Sequence, residues 1–151
     1  MIKNLDKKNS LRLLGSNYIG RLAYISQGAP SVVPITYYYD KSSNSVISYS
    51  GEGHKINAMR NNRFVSIQVD EIVTTNNWKS IAVHGAFEEL HGTDAKYQLH
   101  LFTEGVRSLA SQIENKHFKS IDEFSSKMPM SKVPIVYRIK IIEITGKLRE
   151  P

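Results

Sequence analysis

Tyr49-Ser50-Gly51-Glu52-Gly53-His54-Lys55 sets two glycines, a hydroxyl, an imidazole and an ammonium where a strand-like run gives way to a helix-like one. Glycines let backbone N–H groups approach an anion closely, a helix start contributes N–H donors without intrahelical acceptors, and Lys55 or protonated His54 adds charge. That combination suits a phosphate seat; an ordinary glycine turn with exposed charges is the competing reading. The spacing matches neither a Walker loop nor a dinucleotide-binding fingerprint.

A second group of chemistry-bearing residues is spread over strand-like segments. Trp78 and Ser80 follow the polar Thr74–Asn77 stretch, where the indole could stack on a planar ligand and the hydroxyl could meet a phosphate oxygen, or the pair could simply be a buried aromatic beside a strand cap. Pro34 interrupts Val32-Val33-Ile35-Thr36-Tyr37; because proline cannot donate to a ladder, the region reads as an edge, a bulge or a backbone that faces a flat heteroaromatic ring. Arg21 could project toward an anion or into solvent, and His84 could face a site or solvent. His54, His84, His91, His100 and His117 lack metal-ligand spacing, and no local context identifies a hydrolytic triad. With no cysteine there is no thiolate nucleophile, disulfide or Cys-ligated cluster, so redox chemistry requires a bound cofactor.

The elements that position these groups are mostly strands. A short helix capped by Ser10 carries Leu11, Leu13 and Leu14 and stops at Gly15-Ser16-Asn17. Strands follow over Ile19–Ser26 and Ser31–Tyr39 around a Gln27-Gly28-Ala29-Pro30 turn, then over Ser45–Ser50 after an Asp40–Asn44 turn. A short helix opens at His54-Lys55, with Ile56, Met59 and the stem of Arg60 toward the core. Phe64–Ile72 places Val65, Ile67 and Val69 on one face, and Ser80–Glu89 resumes period two, with Gly85 marking a bulge or a close backbone approach. Leu99, Phe102, Val106, Leu109 and Ile113 define one face of a helix over about 94–116, which Gly105 threatens to interrupt. A Lys127–Pro134 connector leads into a β-branched strand, Ile135–Ile144.

The 151 residues suit one domain, residues 1–151, without an interdomain linker or repeat. Short strands without a strand-helix-strand rhythm predict a mainly β fold, an antiparallel barrel with accessory helices whose closure would protect edges such as Ile135–Ile144. The net charge of +6 favours anionic partners, phosphate-bearing ligands and nucleic acid included. No segment reads as a signal peptide or a membrane span, so a cytoplasmic location is expected. Tyr37, Tyr38 and Tyr39 alternate in direction along their strand and do not form one stacking platform, and no RNA-binding motif accompanies them, which argues against a nucleic-acid-binding barrel.

The ordered string IGRLAYIS (19–26), SVVPITYYYD (31–40), SYSGEGHKINAMRNN (48–62), FVSIQVD (64–70), WKSIAVHGAFEEL (78–90) and YRIKIIEITGK (137–147) resembles the pyridoxamine-phosphate-oxidase-like FMN-binding split barrels, especially the branch that includes nitroimidazole-resistance proteins. The resemblance covers most of the chain. It implies a Greek-key-like six-stranded barrel and a homodimer with FMN at the subunit interface. On that reading Val33, Pro34, Ile35 and Thr36 lie along the isoalloxazine ring, Tyr49, Ser50, His54 and Lys55 form the ribityl and phosphate side, and Trp78 and Ser80 resemble the family's loop-to-strand contact with FMN; Arg21, from its place on the first strand, is a further cofactor-binding candidate.

The cofactor would then perform electron or hydride transfer between a donor such as NADH or NADPH and a small acceptor, with no side chain singled out as acid or base. Deazaflavin or haem could replace FMN on the same scaffold, and binding without turnover is a further alternative. Tyr49-Ser50 occupies a region where some nitroimidazole-resistance proteins carry a histidine, and the chain ends soon after Lys147. Both features point away from a specific nitroreductase or a vitamin B6 oxidase and toward a generic flavin reductase.

Overall fold

The structure, a computed structural model, describes residues 1–114 and 134–151. Residues 127–133 of the connector read from the sequence, the last residues of the helix and His117 lie outside this range.

Among the described residues, eight strands form one antiparallel sheet accompanied by three helices. In chain order these are β1 (Ile2–Leu5), α1 (Lys7–Gly15), β2 (Ile19–Ser26), β3 (Ala29–Thr36), β4 (Tyr38–Asp40), β5 (Ser45–Ser50), α2 (His54–Asn61), β6 (Phe64–Thr74), β7 (Asn77–Glu89), α3 (Gly92–Glu114) and β8 (Ile135–Arg149). The sheet runs β3-β2-β6-β7-β8-β5-β4, with β1 paired to β8 off this path. The expected six-stranded closed barrel is therefore corrected to an eight-stranded sheet, in which no ladder joins the end strands β3 and β4 among the described residues. Nor is Ile135–Ile144 an edge: β8 runs on to Arg149 and is laddered to β7, β5 and β1.

Tyr37 explains both the curl and the break. The sequence reads as one strand over Ser31–Tyr39, but the chain turns at Tyr37, so that β3 pairs with β2 and β4 pairs with β5. Tyr37 is fully buried, its N–H donates to Tyr18 O at 2.8 Å, and its hydroxyl donates to Leu14 O at 2.7 Å. A single residue thus links the two ends of the sheet, which curls without closing.

Gln27 and Gly28 make the β2–β3 hairpin tighter than the four-residue turn expected. Both have positive φ, 51° and 77°, as a two-residue turn with the right twist requires, and pairing resumes at once between Ser26 and Ala29. The cap of α1 also moves: the Asp6 carboxylate accepts from Asn9 N–H at 2.8 Å, while Ser10 lies inside the helix, buried, donating to Leu5 O. An aspartate at the true helix start outcompetes a serine one turn later.

Two apolar clusters flank β5. Leu14, Leu22, Tyr37, Val46, Met59, Ile67, Val83 and Ile139 fill the concave interior of the sheet, while Ile47, Phe102, Val106, Ala110 and Val136 pack α3 against β5 and β8. Strand alternation sends Val46 to one cluster and Ile47 to the other, so β5 is buried on both faces. The helix α3 runs through Gly105 without a break, and the Tyr38 ring occupies the space a Cβ would need there, which calls for glycine at that position. Gly85 meets the expectation for it: the β7–β8 register shifts between His84 and Gly85, and an added Cβ would lie 2.5 Å from Lys140 O.

Candidate functional site

At the β5–α2 junction, Gly53 is the N-cap of α2 with extended backbone, so it offers no side chain to the first-turn N–H groups. The space around it is open, with nothing within 4 Å of where its Cβ would stand. Ile56 and Met59 anchor the helix by burial in the interior cluster, which fixes the direction of its N-terminus. Lys55, next along, is half-buried, and this burial lowers its ammonium from the usual lysine range. No carboxylate among the described residues pairs with it. A partly desolvated cation without a counter-ion, beside helix N–H donors and open space, fits a phosphate group in donor set and in room.

The neighbours of this junction divide by what they touch. His54 is exposed and sits edge-on to Tyr24, with ring centroids 6.0 Å apart. Ser50 Oγ donates to Gly51 O at 3.0 Å, and Tyr49 packs edge-on against Phe102 at 5.2 Å. One strand residue earlier, Ser48 Oγ donates to Thr36 O at 2.7 Å in a buried setting. That bond brings the end of β3 against β5, so Ile35 and Thr36 adjoin the start of the Tyr49–Lys55 segment. As the outermost strand of the sheet path, β3 has no ladder on its far side among the described residues, in keeping with the edge reading of Pro34. Ile35 and Thr36 are buried, Val33 is half-buried and Pro34 is exposed.

Arg21, Trp78 and Ser80 fall elsewhere, on the outer face of β2, β6 and β7. Arg21 faces Pro34 on one side and Gln68 on the other in the ladder, and its guanidinium lies 3.6 Å from Asp70. Gln68 Nε2 donates to Asp70 Oδ2 at 2.8 Å and to Ser80 Oγ at 3.0 Å, closing a polar patch across three strands. Trp78 is half-buried inside β7, opposite Ile72 and Arg149. Neither Trp78 nor Ser80 is joined to His54 or Lys55 by a hydrogen bond or ion pair. The sequence candidates therefore form two groups within one chain, the junction with the β3 edge and the outer patch.

Two features escaped the sequence reading. Arg60, expected to lay its stem on the core, is exposed and bridges Glu52 and Glu89. Ser66 Oγ and His84 Nδ1 lie 2.7 Å apart on the outer face, a contact legible only once β6 and β7 are paired in register. An i, i+8 spacing from Glu52 could have suggested the Arg60 pair, but nothing local pointed to Glu89. No group of three or more acidic or histidine side chains suited to a metal occurs among the described residues. A cleft of about 290 Å³ lies between the Gln27-Gly28 turn and α2, lined by His54, Asn57, Asn61 and Asn62 among others. No described helix is long and apolar enough to cross a membrane.

A family model described as pyridoxamine 5'-phosphate oxidase matches residues 6–148. An uncharacterized protein of Rhizobium meliloti is 33% identical over 92 residues, 61% of this chain and 60% of that protein, so the match spans less than two thirds of the relative's length. The crystal structure of an FAD-binding protein from Mesorhizobium loti aligns with a TM-score of 0.76 at 28% identity, covering 100% of this chain and 98% of that one. A candidate 5-nitroimidazole antibiotic resistance protein from Bacteroides thetaiotaomicron aligns with a TM-score of 0.70 at 18% identity, over 98% of this chain and 89% of that one, and shares the fold. The resemblance read from the sequence holds for the family and for a mainly β fold with accessory helices, not for the six-stranded closed barrel.

Proposed function

The chain belongs to the pyridoxamine 5'-phosphate oxidase family, and on that premise we propose that it is a single-domain, FMN-binding oxidoreductase of the cytoplasm that works as a homodimer. One observation carries the proposal: Lys55, a half-buried ammonium without a carboxylate partner among the described residues, stands at an open glycine junction on a helix N-terminus. A phosphate monoester supplies the missing counter-charge, and of the redox cofactors compatible with a cysteine-free chain, FMN ends in that group.

In this reading Lys55 and the N–H groups at the start of α2 hold the phosphate, with Tyr49, Ser50 and His54 beside the ribityl chain. The backbone of Val33, Pro34, Ile35 and Thr36 orients the ring along the open edge of β3, where N–H and C=O groups can meet its polar rim. Arg21, Trp78 and Ser80 come from the outer face of a second copy. That face also leaves Val32, Phe64 and Ile142 more than half exposed, apolar surface that a second copy would remove from water. When bound, FMN supplies hydride or electron transfer between NADH or NADPH and a small acceptor; the chain supplies binding, orientation and exclusion of water.

The cleft beside His54 and the FAD-binding relative from Mesorhizobium loti favour a second reading, FAD, whose additional nucleotide would extend past the junction. Native purification, an absorbance spectrum and mass analysis of the released chromophore decide between the two. FMN on a dimer, reduced anaerobically by NADH or NADPH, is the expected result. FAD selects the second reading. Haem, deazaflavin or no chromophore, with no flavin bound on addition, overturns both.

A further inference from the structure

Glu52 is the lone acidic residue of the Ser48–Asn62 segment, and it sits between the two glycines, one residue before Gly53, the N-cap of α2. In that position a free carboxylate is the natural intramolecular rival of a bound anion. Helix N-termini attract carboxylates, Lys55 lies close by in sequence, and like charge would repel a phosphate dianion. Yet among the described residues no carboxylate pairs with Lys55, and Glu52 pairs with Arg60 instead. Arg60 Nη1 and Nη2 donate to Glu52 Oε2 and Oε1 at 3.0 and 2.9 Å, a two-pronged contact. The same guanidinium is held in place from β7, where its Nε donates to Glu89 Oε1 at 2.8 Å. Arg60 lies seven residues beyond the N-cap Gly53, about two helical turns along α2, so the Glu52 carboxylate is paired with a side chain from the far end of the helix.

We infer that Arg60 is a positioning residue for the anion seat: it sequesters Glu52 and leaves Lys55 and the first-turn N–H groups free for a phosphate. The inference rests on the phosphate-seat reading given above. Exposed single ion pairs contribute little to stability, but this one is bidentate and anchored by a third charge, and its effect is on ligand charge rather than on folding.

Titration of the wild type, Arg60→Ala, Glu52→Gln and the double variant with FMN and with riboflavin, followed by flavin fluorescence, tests it. The wild type should prefer FMN to riboflavin. Arg60→Ala should weaken FMN by about tenfold while riboflavin binding stays as it was, because only the phosphate senses a released Glu52. Adding Glu52→Gln to Arg60→Ala should restore the preference, a rescue that a purely structural role would not give. Arg60→Lys keeps the charge without the fork, and its intermediate loss stands as the readout should Arg60→Ala not fold. An unchanged FMN-to-riboflavin ratio in both Arg60 variants, equal loss of both flavins, or no rescue overturns the inference while the phosphate seat stands. No FMN preference in the wild type, with Lys55→Ala also silent, overturns the seat itself and the inference with it.

Discussion

Ser48 Oγ donates to the carbonyl of Thr36 across 2.7 Å, joining β5 to β3, strands that stand near opposite ends of the sheet path. The bond is side chain to backbone, so it ties the curled sheet together where no ladder does. It also sets the cofactor-ring segment of the proposed site against the segment that leads to Lys55.

Ser48→Ala leaves a buried carbonyl without its donor and should cost about 1–3 kcal/mol of stability, read by urea unfolding. Flavin affinity should fall with it, since β3 and the junction lose their tie. A variant with wild-type stability and affinity would show that the two segments are held by packing alone.

Lys55 gives the proposed site a pH dependence with a definite sign. Burial lowers its ammonium below the ordinary lysine value, about 10.4. A bound phosphate favours the charged form, so FMN affinity should fall as pH rises through this lowered value, earlier than an exposed lysine would allow. At the acid end affinity should also fall as the phosphate takes up its proton, near pH 6 for phosphate monoesters at about that second pKa. Lys55→Met should weaken FMN and abolish the alkaline limb while the acid limb remains; equilibrium titration across pH checks both.

Gly105→Ala should destabilise, although alanine is the better helix former by about 1 kcal/mol. The new Cβ would enter the Tyr38 ring, and overpacking of a tight contact costs about 1–3 kcal/mol. Thermal unfolding should show a lower Tm. Restoring room with Tyr38→Leu in the same chain should recover part of the loss.

A pocket shared by two copies predicts complementation. Lys55→Ala and Trp78→Ala dimers should each bind FMN weakly, but unfolding and refolding them together should return one intact pocket per mixed dimer. Recovery of tight sites after mixing, measured by flavin titration, supports the shared pocket. No recovery, with both variants folded and dimeric, places the two residues in the same or in unrelated sites.

Much of the local structure was legible because it depends on neighbours along the chain. Period two in Phe64–Ile72 and Ser80–Glu89 identified strands with a buried face, and the three- and four-residue spacing from Leu99 to Leu109 identified α3. Gly85 was readable as a bulge or close approach because glycine weakens a strand interior and fits best where a neighbouring backbone needs the room. Glycines beside His54-Lys55 marked a strand-to-helix junction for the same local reason.

Other features required partners distant in sequence. Apolar alternation shows that a strand has a dry face and not which strand lies beside it, so the place of β8 inside the sheet, between β7 and β5, and the turn at Tyr37 came only with the ladders. Arg60 looked amphipathic on its own helix and became an ion-pair residue because β7 brings Glu89 to it. The sequence by itself determined the donors at the β5–α2 junction. Tertiary structure decided their burial and availability, because the partial desolvation of Lys55, capture of Glu52 and the separation of Ser80 from the junction depend on the folded surroundings of each group.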